Sequence, residues 1–117
     1  MNRQDIYDMV RDHLMNQGKR SEAPRNDVGF SCAYRGNDGA MCAVGCLIAD
    51  EFYSSELEGS NIHCANVHRA VAKSLGVDES EVPEKFLYDL QNIHDNTDEE
   101  SWPYALYDFA VFEGLRP

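Results

Sequence analysis

Positive charge is the scarcest feature of this sequence. Ten lysines and arginines stand against 21 aspartates and glutamates, a formal net charge of −11 over 117 residues. A basic nucleic-acid footprint is therefore absent, and direct contact with a phosphate backbone is excluded as the main activity. Long apolar runs are also missing. None reaches the roughly 18 residues of a membrane helix. The opening residues Met-Asn-Arg-Gln-Asp lack the basic and then apolar pattern of a secretory signal. The expectation is a protein that stays in the cytoplasm with its four cysteines reduced. No Cys-x-x-Cys pair is present, which removes the commonest zinc-binding signature. The one Gly-rich turn, Gly36-Asn-Asp-Gly39, lacks the Lys-Ser/Thr of a P-loop, and Asp38 would repel an anion. Asp95-x-Thr97-x-Glu99 resembles half a calcium loop, but its glycine and closing glutamate are misplaced. Internal repeats and low-complexity segments are absent.

What is present is enough for one domain, residues 1–117, with 43% hydrophobic residues to fill a core. The most apolar stretch is Ala40 to Ala49, ten residues without charge, entered through the Gly-rich turn and stopped by Asp50 and Glu51. Met41, Val44 and Ile48 fit one helical face, and Cys42 and Cys46 a neighbouring one. The reading is a short buried helix capped by Asn37 or Asp38, with Gly45 at a point of close packing.

Around it the periodicity is helical. Ile6, Met9, Val10, His13, Leu14 and Gln17 recur at helical spacing, which predicts a helix over Arg3–Gln17 ended by Gly18. Lys19 to Asp27 reads as a polar loop. Val28–Arg35 predicts a short strand with Phe30, Cys32 and Tyr34 on one face, and the Gly36–Gly39 turn offers a hairpin after it. A helix from Ile62 or His63 to Leu75, capped by Asn61 and closed by Gly76, presents Val67, Ala70, Val71 and Leu75. Another runs from about Val82 to Asp95 on Phe86, Leu87, Leu90, Ile93 and His94, with Pro83 in its first turn. The last begins near Ser101 or Trp102, carries Trp102, Ala105, Leu106, Phe109 and Ala110 inward, and closes at Gly114-Leu115. The expected fold is α+β and mainly helical. About five helices surround a central short buried helix, with a small β-hairpin or a two- to three-stranded sheet.

The charge is not spread evenly. Residues 1–40 hold six acidic and six basic side chains, so the whole excess falls in 41–117. It is densest between 77 and 100, where Asp78, Glu79, Glu81, Glu84, Asp89, Asp95, Asp98, Glu99 and Glu100 face a single Lys85. Carboxylates so arranged can imitate nucleic-acid phosphate and engage a protein that normally binds DNA or RNA through Lys and Arg. Tyr88, Tyr104 and Tyr107 nearby suit the centre of such an interface. The residues assigned to the contact are Asp78, Glu79, Glu81, Glu84, Asp89, Asp98, Glu99 and Glu100. A solvated face that aids solubility is the bland account of the same charge.

Chemistry on the cysteines is the competing reading. Cys42 near a helix start would have a lowered thiol pKa, with His63, His68 or His94 as base and Asp95 to orient it. Cys42 and Cys46 with His63 or His94 would equally suit a metal. Against both stands the ordinary behaviour of free cysteine as a small buried hydrophobe. His94 in a last turn is explained by the helix carbonyls alone. No catalytic residue, cofactor or metal ligand is assigned on this reading. A purely structural homo-oligomer, such as a homodimer, is the third class.

Tyr34-Arg-Gly-x-x-Gly-x-x-Cys42-Ala-Val-Gly-Cys46-Leu-Ile-x-Asp50, with Leu90-Gln-x-Ile-His-Asp95 and Trp102, resembles a group of short bacteriophage and prophage proteins to which no activity is assigned. The likeness covers roughly residues 28–113. It carries no site residues across. What it implies is context: a small accessory protein in the cytoplasm of an infected bacterium. Such a protein would bind and modulate or inhibit a host protein, with a nucleic-acid-handling defence or transcription complex as the expected target class.

Overall fold

The structure is a computed structural model that describes residues 1–25 and 29–117. Val28 and the Phe30 side chain, which the sequence assigns to a strand, lie outside the described residues. Four α-helices account for most of the regular structure: α1 Arg3–Gln17, α2 Ala65–Leu75, α3 Glu84–Asn96 and α4 Trp102–Phe112. Two short strands, β1 Glu22–Arg25 and β2 Gly29–Cys32, pair antiparallel with Glu22 opposite Cys32. The pairing lies before the Gly36–Gly39 turn, so that turn joins no strands; it is a single 3₁₀ turn.

Each α-helix follows from its sequence. Asn2 and Asp5 form a reciprocal capping box at the start of α1, and Gly18 closes it at φ 68°. Ile6, Tyr7, Val10 and Leu14 are buried on one side while Met9 is exposed. α2 has its cap at Cys64, three residues after the expected one; Asn61 instead accepts the His63 N–H across a local turn. α3 starts after Pro83 and buries Phe86, Leu87, Leu90 and His94. α4 carries Pro103 in its first turn and buries Trp102, Leu106 and Ala110.

α4 packs against both α1 and α3. The Tyr7 hydroxyl donates to the Leu106 carbonyl at 2.9 Å, and Phe109 stacks on Tyr7 and meets Phe86 with its ring tilted by 53°. Burial of each large apolar side chain in this layer contributes roughly 1.5–3 kcal/mol.

The central segment corrects the sequence reading. Residues 40–49 are mostly buried at the centre, but they are not an α-helix; a 3₁₀ turn at Gly45–Leu47 sits between extended residues Ala40 and Ile48. The physical reason is that other elements satisfy its backbone. Gln17 of α1 accepts the Met41 N–H and donates to the Met41 carbonyl, and His13 donates to that carbonyl too. Gln91 of α3 accepts the Val44 N–H at 2.9 Å, and Ser74 of α2 accepts the Ala49 N–H at 2.8 Å. Arg35 donates to the carbonyls of Gly45 and Ile48. A helical ladder is then unnecessary, and the side chains that replace it fix the segment in place. Gly45 is the close-packing point expected of it: a Cβ there would lie 2.5 Å from the Tyr34 carbonyl oxygen.

Candidate functional site

The motif segment and α3 meet at a polar cluster around Asp95. Gln91 bridges the two. Its Oε1 holds Val44, and its Nε2 donates to Asp95 Oδ1 at 2.7 Å. His94 is fully buried and stacks on Trp102, with ring centres 5.5 Å apart. Its Nε2 accepts the Ser21 backbone N–H at 2.9 Å, so that nitrogen carries no proton. The proton is on Nδ1, which donates to Asp95 Oδ1 at 2.7 Å. Burial pushes the Asp95 carboxyl up. Hydrogen bonds from His94, Gln91 and Cys32 outweigh it and hold the group below the usual aspartate range.

Cys32, His94 and Asp95 are the one set of three potential metal-ligating groups, among the described residues, whose ligand atoms lie within 4.8 Å of one another. Cys42, Cys46 and His63 are not part of it. The donor set suits zinc, but the histidine does not. A ligating imidazole normally donates its second N–H to an acceptor. Here the second nitrogen faces the Ser21 N–H, so freeing Nδ1 for a metal would set two N–H donors against each other or require an imidazolate. The arrangement is a hydrogen-bonded carboxylate rather than a metal centre.

The thiols fit no nucleophilic role in the expected pairing. Cys42 is fully buried, and desolvation pushes its thiol well up, although the Gly45 N–H donates to its sulfur at 3.3 Å. Burial likewise pushes Cys46 up to about 12. Cys32 also reaches about 12, through burial and the neighbouring Asp95 carboxylate. Cys64 behaves oppositely. It occupies the cap of α2, where the N–H groups of Asn66 and Val67 lower its thiol pKa. His63 pairs with Glu84 at 2.7 Å.

The assigned acidic residues fall into two groups at opposite ends of α3, whose 13 residues span about 20 Å. Asp78, Glu79, Glu81 and Glu84 lie at its N-terminal end, Asp98, Glu99 and Glu100 beyond its C-terminal end, and Asp89 between. Several are already engaged. Glu84 holds His63 and His68, Glu79 faces Arg69, Asp89 pairs with Lys85, and Glu99 with Arg20. The two histidines hold the Glu84 carboxyl below its ordinary range, the His63 hydrogen bond contributing most. His68 also hydrogen-bonds the Glu79 carbonyl, so both its ring nitrogens face oxygens. Asp78 and Glu81 cap one another across a 3₁₀ turn. Among the described residues no cation pairs with Asp78, Glu81, Asp98 or Glu100. Tyr88, Tyr104 and Tyr107 are exposed, and so are Val111 and Phe112 on the outer side of α4.

Two clefts meet at Asp95. One, of about 210 Å³, is lined by Asn61, Tyr88, Gln91 and Asn92 over an apolar floor of Val44 and Ile62. The other, of about 270 Å³, runs past Cys32 towards Glu58. Glu58 is fully used. It accepts the backbone N–H groups of Tyr34 and Arg35 and the Tyr53 hydroxyl. Sequence reasoning missed Cys32, Asn61 and Gln91 as members of one site. The available signal was Asp95 itself, an acid in a last helical turn where the carbonyl dipoles disfavour it.

No family model matches the chain, and neither a curated protein nor a solved structure matches it. No helix among the described residues is long and apolar enough to cross a membrane.

Proposed function

We propose that this chain is a small acidic binding protein that occupies the basic surface of a host protein and so modulates or inhibits it. The setting is the cytoplasm of a phage-infected bacterium, and the target class is a nucleic-acid-handling defence or transcription complex. One observation carries the reading. Arg3, Arg11, Lys19, Arg20, Arg35, Arg69 and Lys85 each lie against a carboxylate of this same chain. The excess charge is therefore left on unpaired groups such as Asp78, Glu81, Asp98 and Glu100, at the two ends of α3. Complementary charge of this kind accelerates encounter and rejects wrong partners. Catalysis draws no comparable support, because Cys42 is buried, Cys46 is half-buried and His94 has both nitrogens occupied.

The test is affinity capture from bacterial lysate with two variants. Changing Asp78, Glu81, Asp98 and Glu100 to lysine breaks no ion pair and should abolish capture of the partner held by the parent protein. A second variant with Asp78, Glu79, Glu81 and Glu84 changed to lysine localises the contact to the N-terminal end of α3. Undiminished capture by both would overturn the acidic-surface reading.

A further inference from the structure

We propose that the cleft beside Asp95 is a binding site for a guanidinium group. Asp95 breaks a local rule. A carboxylate in the last turn of a helix opposes the helix dipole. This one is kept ionised by side-chain donors from three positions, and two of them, His94 and Gln91, converge on the same oxygen, Oδ1. Its side chain nevertheless stays 32% exposed and forms part of the cleft wall. A side chain needed only to hold α3 to the motif segment would be better served by an uncharged amide, which removes the conflict with the dipole. Local rules of this kind are broken most often at functional sites.

The surroundings define the ligand. No lysine or arginine lines the cleft, so the carboxylate has no cation of its own there. The carboxamides of Asn61 and Asn92 line it, each oxygen already holding one N–H, from His63 and from Asn96, with a second lone pair left for a ligand; Tyr88 is 44% exposed beside them, and Val44 and Ile62 make an apolar floor. Several acceptors, a negative charge and an aromatic face in about 210 Å³ fit a planar cation with several N–H donors. Guanidinium has that shape. An ammonium is a strongly hydrated point charge that gains little from the ring or the amides. Anions are repelled. The group can come from an arginine side chain on a partner protein or from a free guanidino compound.

This site does not depend on the acidic residues at the ends of α3. Loss of guanidinium binding with lysate capture intact overturns the cleft alone, and the converse overturns the acidic-surface reading alone.

Three probes test it by NMR of the side-chain amides of Asn61, Gln91 and Asn92: acetyl-arginine-methylamide, methylguanidine and acetyl-lysine-methylamide. The two guanidinium probes should shift these signals saturably, at least about tenfold more tightly than the lysine probe. Asp95→Asn should abolish the shifts while the spectrum stays dispersed. Tyr88→Ala, at an exposed position that the core does not use, should weaken binding several-fold and keeps the test valid should Asp95→Asn fail to fold. Tighter binding of the blocked arginine supports a protein partner, and equal binding of methylguanidine supports a free guanidino compound. Absent saturable shifts, equal response to the lysine probe, or indifference to Tyr88→Ala would each overturn the proposal.

Discussion

α1 and the segment 40–50 are both inner elements of the molecule, and they are held together in opposite ways. α1 supplies its own backbone partners through its ladder, a capping box at Asn2 and the Gly18 cap. The segment supplies few. Its N–H and carbonyl groups are taken up by Gln17, Arg35, Ser74 and Gln91, each from a different part of the chain. The lesson is that burial without regular structure is affordable only when long polar side chains are delivered from outside. A loss in α1 should therefore stay local, whereas a loss around the segment should reach several elements together.

The largest effect should come from closing the gap that the segment leaves for Tyr34. Gly45→Val drives side-chain atoms into the Tyr34 backbone and should lower stability by about 3 kcal/mol in urea unfolding. Met9→Ala on the exposed side of α1 should change it by less than about 0.5 kcal/mol. Similar losses from the two would erase the contrast.

Gln91→Leu comes next. It strands the buried Val44 N–H and removes a donor from Asp95, for an expected loss of about 2 kcal/mol. Amide exchange should quicken at Val44 and Gly45 but not within α1. Asn2→Ala removes the cap of the self-sufficient helix and should cost only about 1 kcal/mol, with faster exchange confined to its first turn.

Acid should act on the segment's side of the comparison. The Asp95 carboxyl lies below its ordinary value of 3.8 in the folded protein. Its contribution is complete above the unfolded value and disappears as pH falls through the folded one. Asp95→Asn should therefore flatten the acid limb of the stability curve and leave the pH dependence near neutral pH unchanged. An unchanged acid limb would assign the dependence elsewhere.

The smallest perturbation is chemical. With the protein folded, a disulfide reagent should modify Cys64 first, and Cys42 last or only after unfolding. Early reaction of Cys42 would mean that the central segment opens more readily than α1.

Much of the helical part was legible because it rests on local patterns. The α1 limits, the Gly18 and Gly76 caps and the inward residues of α3 and α4 follow from periodicity and capping chemistry. The buried position of Ala40–Ala49 and the tight fit at Gly45 were legible for similar reasons, apolar length and a glycine where alanine would be expected. Its backbone path was not. Helical spacing of Met41, Val44 and Ile48 was the stronger local signal. It lost to hydrogen bonds from Gln17 and Gln91, 24 and 47 residues away.

The candidate site divides along the same line. The acidic residues between 77 and 100 could be named from composition, since charge is additive along a chain. Which of them are neutralised could not, because Arg20 reaches Glu99 and His63 reaches Glu84 only in the folded state. The tautomer of His94 depends on one backbone N–H, that of Ser21, 73 residues earlier. The sequence by itself determined the helices, the acidic excess and the buried centre, since each depends on neighbours within a few residues. Tertiary structure alone decided the non-helical path of the central segment, the ionised Asp95 and the cleft beside it. Those depend on single hydrogen bonds and desolvation between residues that no local pattern connects.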